Sequence, residues 1–323
     1  MSELRIAVLG VGVMGADHVA RITSRISGAH VAVVNDYLTE KAEQIAASVP
    51  GARVAGDPLD AIAAEDVDAV LLATPGPTHE KQLLACLEHR KPVLCEKPLT
   101  SDVETSLEVV RREAELGTPL IQVGFMRRFD PEYEQLKASI DGGELGQPLV
   151  MHCVHRNPAV PPSFDSAMVV KDSLVHEVDV TRFLFGEEIE SVQIIRPTPN
   201  PGAPEGLQDP QIAIFRTLSG RHVDVEVFVT TGVAYEVRAE VVGEHGSATI
   251  GLGQVTPGFR ERFGLAYDIE LQRWVDAVRS ETNVDGPTAW DGYAAAAVCA
   301  AGVQSLQTGE RVAVELAEHV GAG

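Results

Sequence analysis

The sequence predicts an α/β protein of two domains, the first of which is built on a parallel sheet. Three observations carry this prediction. A glycine-rich turn follows the first apolar run, apolar runs alternate with helical stretches over residues 1–124, and the periodicity changes from residue 125 onward. A chain of 323 residues is also long for one domain and comfortable for two. We therefore predict domains at 1–124 and 125–323.

The N-terminal stretch reads as a buried strand, Leu4–Leu9, that runs into the turn GVGVMG of residues 10–15. The first glycine suits a tight turn, the second leaves room for a pyrophosphate, and the third allows close packing of helix on strand. A second apolar run, 30–35, follows at βαβ spacing and ends in Asp36. An acid there suits the ribose hydroxyls of NAD and repels the 2′-phosphate of NADP, although Asn35 leaves the strictness of that preference open. The pattern predicts a Rossmann domain that binds NAD through Gly10, Gly12, Val13, Met14, Gly15 and Asp36.

Further apolar runs continue this domain as parallel strands covered on both faces. The predicted strands are 4–9, 30–35, 52–55, 68–73, 92–95 and 119–123, and the predicted later helices are 40–48, 80–89 and 101–116. Ligands of such sheets bind at the carboxyl ends of the strands. The segments that follow the strands are therefore where we expect the chemistry.

Two of those segments carry candidate residues. The loop from Thr74 and Pro75 to His79 follows the fourth strand, and it either flanks the nicotinamide ring or is an ordinary turn before a helix. Glu96 and Lys97 follow the fifth strand. A lysine there can stabilise alkoxide charge as hydride leaves, or it can form a surface ion pair with Glu96.

Composition narrows the classes of function. A formal net charge of −21 disfavours nucleic acid and anionic membranes as partners, and in the simpler interpretation it keeps the protein soluble. We find neither an apolar run near the roughly 20 residues of a membrane span nor a signal-peptide pattern. Four cysteines without a CxxC pair are typical of reduced thiols. We therefore expect a cytoplasmic protein.

Residues 171–186 read as one helix with a polar stripe. Asp172, His176 and Asp179 stand at i, i+4 and i+7 and share a face. The stripe can be a solvated surface, or part of a metal site, although no cysteine or nearby second histidine completes a tetrahedral set. The third interpretation is acid–base chemistry, with His176 taking a hydroxyl proton and Asp172 stabilising the imidazolium. Beside a nicotinamide-binding fold we favour this third interpretation and expect no metal.

These motifs together resemble those of the glucose-fructose oxidoreductase and inositol dehydrogenase family over nearly the whole chain. The glycine turn, the Thr-Pro loop ending in His79, the Glu-Lys-Pro segment at 96–98 and the Asp172-x-x-x-His176 helix occur in the same order. The segments 124–130, 155–157 and 172–179 look most similar to the inositol 2-dehydrogenase subgroup. The resemblance implies a Rossmann domain followed by an α+β domain with a large open, mainly antiparallel sheet. It also implies a homotetramer assembled through those sheets.

The resemblance further implies an activity and a set of site residues. It implies NAD-dependent oxidation of a cyclic polyol, with myo-inositol and its product 2-keto-myo-inositol as the expected pair and other inositol isomers or pyranose sugars as alternatives. Lys97 and His176 are then the catalytic pair, assisted by Asp172. The other implied cofactor residues are Thr74, Pro75, His79, Glu96 and Lys97, and the implied substrate residues are Lys97, Met126, Arg127, His155, Asn157, Asp172, Ser173, His176, Asp179 and Tyr235. A regulator that keeps the fold without activity is the alternative from another class, but it would be expected to lose the lysine or the histidine.

The second domain also carries its own pattern. We predict strands at 148–156, 188–196, 211–218, 221–231, 235–242 and 247–251, with helices at 131–140, 267–280 and 288–307. In 223–229 the odd positions are all valine, so one face of that strand is apolar. An open sheet of this size is covered either by a second copy of the chain or by local helices. We expect the last helix, about 288–308, to pack back on the first domain.

Overall fold

The computed structural model describes residues 3–283 and 285–319, which divide into two compact units. The described residues up to Phe125, those in 267–293 and those from Ala317 onward form the first unit. Residues 126–266 and 294–316 form the second. The division at Phe125 lies one residue from the predicted one, but the prediction gave all of 125–323 to the second domain.

The sheet of the first unit has six parallel strands in the order β3-β2-β1-β4-β5-β6. The strands are β1 (Leu4–Leu9), β2 (Ala29–Asn35), β3 (Arg53–Val54), β4 (Ala69–Leu72), β5 (Val93–Glu96) and β6 (Ile121–Gly124). The helices are α1 (Val13–Ser24), α2 (Thr39–Ala47), α3 (Pro58–Ala63), α4 (His79–Glu88) and α5 (Val103–Leu116). The order reverses between β1 and β4, so the carboxyl ends of these two strands form the crevice in which such sheets bind ligands.

Capping aspartate side chains set the first residue of two of these helices. The carboxylate of Asp102 accepts a hydrogen bond of 2.9 Å from the amide of Thr105, so α5 begins at Val103 and not at the predicted 101. Asp57 caps α3 in the same way, with Pro58 at its first position. Helix α3 is six residues long, which is too short to show a helical period, and the sequence analysis missed it.

The core of the first unit explains why residues 267–293 belong to it. Leu271, Trp274 and Val275 of helix α9 (Phe259–Arg279) are fully buried in one cluster with Ile6 and Val8 of β1. The predicted helix at 267–280 left out residues 259–266 of α9. Phe263, within that stretch, has non-helical torsions (φ −111°, ψ 17°), so α9 is kinked there. Helix α10 (Ala289–Thr308) crosses the division, with residues 289–293 in the first unit and the rest in the second. The prediction had this helix pack back on the first domain.

The second unit contains a large mixed sheet in the order β12-β11-β7-β10-β9-β8-β14, with β13 paired to β11. Its pairs are antiparallel except that β10 runs parallel to β7. The strands are β7 (Pro148–Arg156), β8 (Ile189–Ile195), β9 (Gln211–Thr217), β10 (His222–Phe228), β11 (Tyr235–Gly243), β12 (Gly246–Ile250), β13 (Val255–Thr256) and β14 (Val312–Ala313). The remaining helices are α6 (Pro131–Asp141), α7 (Ser166–Met168) and α8 (Val175–Phe185). The valines of β10 are buried, as their alternation predicted.

The segment before α8 is not the regular α-helix that we predicted for 171–186. Residues Val169–Leu174 form a π-helical turn, and α8 begins only at Val175 and ends at Phe185, where it is capped by Gly186 (φ +65°). Since a π-turn holds more residues than an α-turn, Asp172 and His176 do not follow the assumed 3.6-residue period. Such π-turns are frequent at functional sites.

No helix among the described residues combines the length and the apolarity needed to cross a bilayer.

Candidate functional site

The glycine turn has the geometry that its sequence predicted. Gly10 has φ +81°, and a Cβ there would lie 2.6 Å from the carbonyl oxygen of Ala73. A Cβ on Gly15 would lie 1.8 Å from the carbonyl oxygen of Gly10, so strand and helix are in close contact. Among the described residues, Gly12 has no non-neighbouring atom within 4 Å of its Cβ position. The turn therefore leaves an open cradle at Gly12, beside the unpaired amides of the first turn of α1.

Asp36 organises this turn through its carboxylate. One oxygen accepts a hydrogen bond of 2.8 Å from the amide of Val11, and the other accepts one of 3.0 Å from the amide of Leu38. Neighbouring Asn35 donates to the carbonyl of Ala55 at 2.8 Å and so ties β2 to the adjoining loop. Asp36 thus fixes the backbone of the glycine turn at Val11 and places a negative charge beside it.

A cavity of about 730 Å³ opens beside the turn, within the size range of small-molecule sites. Five of the predicted cofactor residues line it: Gly10, Gly12, Asp36, Thr74 and Pro75. It is also lined by residues with no predicted ligand role, namely Asn35, Tyr37, Leu38, Lys41, Gly56, Pro58, Ala73, Thr78 and Gln82. Tyr37 is 85% exposed and offers a flat aromatic face. Of the predicted cofactor residues, Val13, Met14, Gly15, His79, Glu96 and Lys97 are not among those that line it.

The loop after β4 is held in place by its own polar side chains. The Thr74 hydroxyl donates to the side-chain oxygen of Gln82 at 2.6 Å. The ring of His79 is buried, with Nε2 at 2.7 Å from the carbonyl oxygen of Thr74 and Nδ1 at 2.9 Å from that of Pro98. His79 therefore joins this loop to the turn after β5.

Strand β5 ends at the buried Glu96, and the half-buried Lys97 follows it. Glu96 is buried and lies 2.7 Å from Nε2 of His18, a residue of α1 that is fully buried. Lys97 is half-buried, and its peptide bond to Pro98 is cis. One oxygen of the Glu96 carboxylate is therefore engaged by His18.

The second unit contains a buried polar cluster of three residues from three different segments. Arg127 comes from the 3₁₀ turn Met126–Phe129, His155 from β7 and Glu177 from α8. The Arg127 guanidinium is ion-paired with Glu177, and Nδ1 of His155 lies 3.0 Å from one Glu177 oxygen and 3.2 Å from the other. All three side chains are at most 2% exposed. We name this set the Arg127–Glu177–His155 cluster.

Charge compensation keeps the cluster ionised although it is buried. Burial raises the pKa of Glu177, but the charge of Arg127 and the contact with His155 outweigh it and lower that pKa to about 2. Burial likewise opposes the charge on Arg127, yet Glu177 raises the pKa of this guanidinium above its usual value. Phe263 lies beneath the guanidinium, 5.4 Å from its central carbon to the ring centroid.

Aromatic rings surround the cluster. The Tyr235 ring meets that of His155 edge to face at a centroid distance of 5.9 Å, and it packs on Phe259 and Phe263. Burial raises the pKa of the Tyr235 hydroxyl, opposed by the charge of Arg127. The ring of His176 lies 6.3 Å from that of His155. The structure thus brings the predicted residues Arg127, His155, His176 and Tyr235 together.

Other predicted substrate residues lie in the same unit with different exposures. Met126, Ser173 and Asp179 are buried, and Asp179 forms a two-pronged ion pair with Arg128, with contacts from 2.6 to 3.1 Å. Asp172 is exposed on the π-helical turn, whereas His176 is 9% exposed on α8. The Asp179 carboxylate is therefore already engaged by a guanidinium that the sequence analysis did not assign.

Asn157, directly after β7, offers an unused acceptor. Its backbone is fixed, because its amide donates to Phe228 at 2.9 Å and its carbonyl accepts from Thr231 at 3.0 Å. Its side-chain oxygen Oδ1 is buried, and within residues 3–283 and 285–319 no donor reaches it. A buried acceptor without a donor is costly, so this atom is suited to receive a ligand hydroxyl.

Glu177 is the main residue that the sequence analysis missed. Glu177 follows His176 in the sequence. It does not lie on the helix face predicted from Asp172, His176 and Asp179, so it was not considered as a site residue. The available signal was a carboxylate between Val175 and Val178, in a stretch that becomes buried, since buried acids are almost always paired.

Comparison with known proteins covers both units. The family profile described as "Oxidoreductase family, NAD-binding Rossmann fold" matches residues 4–125. The "GFO/IDH/MocA C-terminal domain" profile matches residues 133–249.

Individual relatives match over nearly the full length. An inositol 2-dehydrogenase of Mycolicibacterium gilvum is 75% identical over 99% of this chain and 96% of its own. An inositol 2-dehydrogenase of Rhodococcus jostii is 73% identical over 98% of this chain and 94% of its own. Among solved structures, myo-inositol dehydrogenase from Lactobacillus casei in complex with NAD(H) and myo-inositol is 35% identical, with a TM-score of 0.95 over 98% of both chains.

Proposed function

The chain belongs to the GFO/IDH/MocA oxidoreductase family, and we propose that it oxidises myo-inositol to 2-keto-myo-inositol with NAD as the hydride acceptor. The observation that carries this proposal is the full-length similarity to inositol 2-dehydrogenases at up to 76% identity. The structural similarity to a myo-inositol dehydrogenase that binds NAD(H) and myo-inositol supports it.

The residues of the first unit fit a dinucleotide. Gly12 leaves the backbone open where a Cβ would otherwise meet a pyrophosphate, and the helix dipole of α1 favours that negative charge. The Asp36 carboxylate lines the cavity and suits a ribose diol, whereas it repels a 2′-phosphate. When bound, the nicotinamide accepts the hydride, which is chemistry that no side chain can supply.

We assign the proton chemistry to three side chains. His176 accepts the proton of the substrate hydroxyl as general base, since imidazole is the side-chain group most often used for that step. Asp172 stabilises the resulting imidazolium by its negative charge, and Lys97 stabilises the alkoxide character that develops on the oxygen. Lys97, Asp172 and His176 are all present, which argues against the alternative of a non-catalytic regulator.

Recognition of a hydroxyl-rich ring requires several directed polar groups. His155, Asn157 and Tyr235 supply them, and the unused oxygen of Asn157 is the clearest acceptor. Arg127 and Asp179 are paired within the protein, with Glu177 and Arg128 respectively, so we assign them the support of the site rather than its first contacts. A site built on hydroxyl contacts rejects analogues that lack a hydroxyl more sharply than an apolar pocket does.

The test is NADH formation, followed by absorbance, when purified protein and NAD are mixed with one polyol at a time. We expect myo-inositol to give the highest kcat/KM among myo-inositol, scyllo-inositol, chiro-inositol, glucose and xylose. A higher value for another isomer would move the proposal to that substrate. No turnover with any of the five polyols, together with measurable NAD binding, would favour the regulator.

We also propose a cytoplasmic homotetramer assembled through the sheets of the second unit. All four cysteines lie among the described residues and are buried thiols outside any disulfide, as expected in a reducing compartment. The outward positions of the large sheet are only half-buried in one copy of the chain, which suits coverage by another. Light scattering after gel filtration tests the assembly, and a monomeric mass would reject it.

A further inference from the structure

Within the Arg127–Glu177–His155 cluster, Nδ1 of His155 faces two groups that require opposite protonation states of this nitrogen. The Glu177 carboxylate can only accept a hydrogen bond, and its oxygens lie 3.0 and 3.2 Å away. The Arg127 guanidinium can only donate, and its Nη2 lies 3.2 Å away. Nδ1 can therefore carry a proton for Glu177 or a lone pair for Arg127, but not both.

The contacts favour a proton on Nδ1. Glu177 presents two charged oxygens to this atom, and hydrogen bonds to an ionised acceptor are about twice as strong as neutral ones. Arg127 already has an acceptor of its own, because its Nη1 donates to Glu177. In the neutral imidazole the other nitrogen, Nε2, is then left as an acceptor.

We propose that Glu177 is a positioning residue that fixes the tautomer of His155, so that Nε2 accepts a hydrogen bond from a substrate hydroxyl. This inference rests on the proposed function only for the identity of the ligand, a cyclic polyol. The tautomer itself is a property of the protein alone. Tyr235, packed edge to face on the imidazole, keeps the ring from turning away from Glu177.

Replacing Glu177 by glutamine should reverse the tautomer. Arg127 would donate to the oxygen of the new side-chain amide, which leaves the NH₂ group of that amide to face Nδ1. Nδ1 would then become an acceptor, and the proton would move to Nε2. Nε2 would donate toward the ligand instead of accepting, and the polyol would have to find another acceptor for the hydroxyl proton.

The direct experiment is NMR of the full-length protein with ¹⁵N-labelled histidine rings, with His155→Gln used to assign the signals. We expect Nδ1 of His155 to be the protonated nitrogen in the wild type and the unprotonated one in Glu177→Gln. The same tautomer in both proteins would overturn the proposal. This readout requires no substrate, so its failure is distinct from failure of the proposed function.

The kinetic experiment measures KM for myo-inositol and Kd for NAD in Glu177→Gln, in His155→Ala and in the double variant. We expect Glu177→Gln to raise KM about three- to tenfold, the effect of one hydrogen bond, and to leave Kd for NAD within twofold. In the His155→Ala background the same substitution should change KM by less than twofold. Equal effects in both backgrounds would show that Glu177 does not act through His155.

Glu177→Gln leaves Arg127 buried without its carboxylate, so this variant needs a second form in case it fails to fold. Arg127→Met with Glu177→Leu removes both charges and leaves an apolar side chain beside Nδ1 of His155. Since a buried Nδ1–H would then lack an acceptor, we expect this pair to fold, as judged by circular dichroism, and to show a protonated Nε2 on His155. A protonated Nδ1 in the folded pair would overturn the proposal as well.

Discussion

The glycine turn of the first unit and the Arg127–Glu177–His155 cluster of the second are candidate ligand sites that are built in different ways. The turn offers backbone amides and an absence of side chains, and one stretch of six residues, 10–15, provides most of it. The cluster consists of side chains from three segments, each of which depends on the others for its charge and orientation. Backbone recognition is therefore readable from local sequence, whereas side-chain recognition depends on the assembled fold.

The largest effect should come from the second unit, through its candidate base. His176→Ala should lower kcat by roughly two to four decades, the range of general acid–base catalysis, because no other group is assigned to take the hydroxyl proton. Steady-state NADH formation measures this loss. Kd for NAD should stay within twofold if the two regions act separately. Near-normal turnover would remove His176 from its assigned role.

The next effect concerns the charge of the buried cluster. The folded-state pKa of Glu177 is lowered to about 2, below its unfolded value of about 4.3. Its stabilising contribution is then fully present above about pH 4.3 and is lost as the pH falls toward about 2.

Urea unfolding of the wild type and of Glu177→Gln between pH 6 and pH 2.5 measures that loss. The difference in unfolding free energy between the two proteins should be constant above about pH 4.3 and should shrink below it. A difference independent of pH across this range would mean that Glu177 is not ionised in the folded protein. The Arg53–Asp66 pair of the first unit is a useful contrast, since both side chains are about half exposed and such pairs contribute at most about 1 kcal/mol.

Within the glycine turn, two substitutions of the same size should have different effects. Gly15→Ala places a methyl group 1.8 Å from the carbonyl oxygen of Gly10, so it should lower the free energy of unfolding by roughly 2 kcal/mol or more. Gly12→Ala meets no protein atom and should change that free energy by less than about 0.5 kcal/mol while weakening NAD binding. Thermal unfolding and NAD titration of both variants measure this. Equal stability of the two would refute the separate roles of the glycines.

The smallest effect should be on the choice of cofactor. Asp36→Ala removes the charge that repels a 2′-phosphate, so it should shift the ratio of kcat/KM for NADP to that for NAD by about tenfold in favour of NADP. Because Asp36 also accepts from the amides of Val11 and Leu38, some loss with both cofactors is expected. Because this loss affects NAD and NADP alike, it does not change the ratio of their kcat/KM values. An unchanged ratio would exclude Asp36 as the selectivity residue.

The sequence by itself determined the alternation of strands in the first unit and the geometry of its glycine turn. Strand β1 lies at the predicted residues 4–9, and Gly10, Gly12 and Gly15 have the separate geometries that their spacing predicted. It also determined the alternating burial of β10, since a period of two allows only one register of buried valines. These features depend on neighbours in the chain, which is the reason that pattern and spacing suffice.

Only the tertiary structure decided the rest. Residues 267–293 joined the first unit because Leu271 and Trp274 complete its core, and helical periodicity says which face is buried but not against what. The π-turn before α8 changed the spacing between Asp172 and His176, and a sequence shows no such insertion. Glu177 gained its importance from Arg127 and His155, which are 50 and 22 residues away along the chain. Charge pairing in a buried site is a property of groups that meet in space, so no local pattern encodes it.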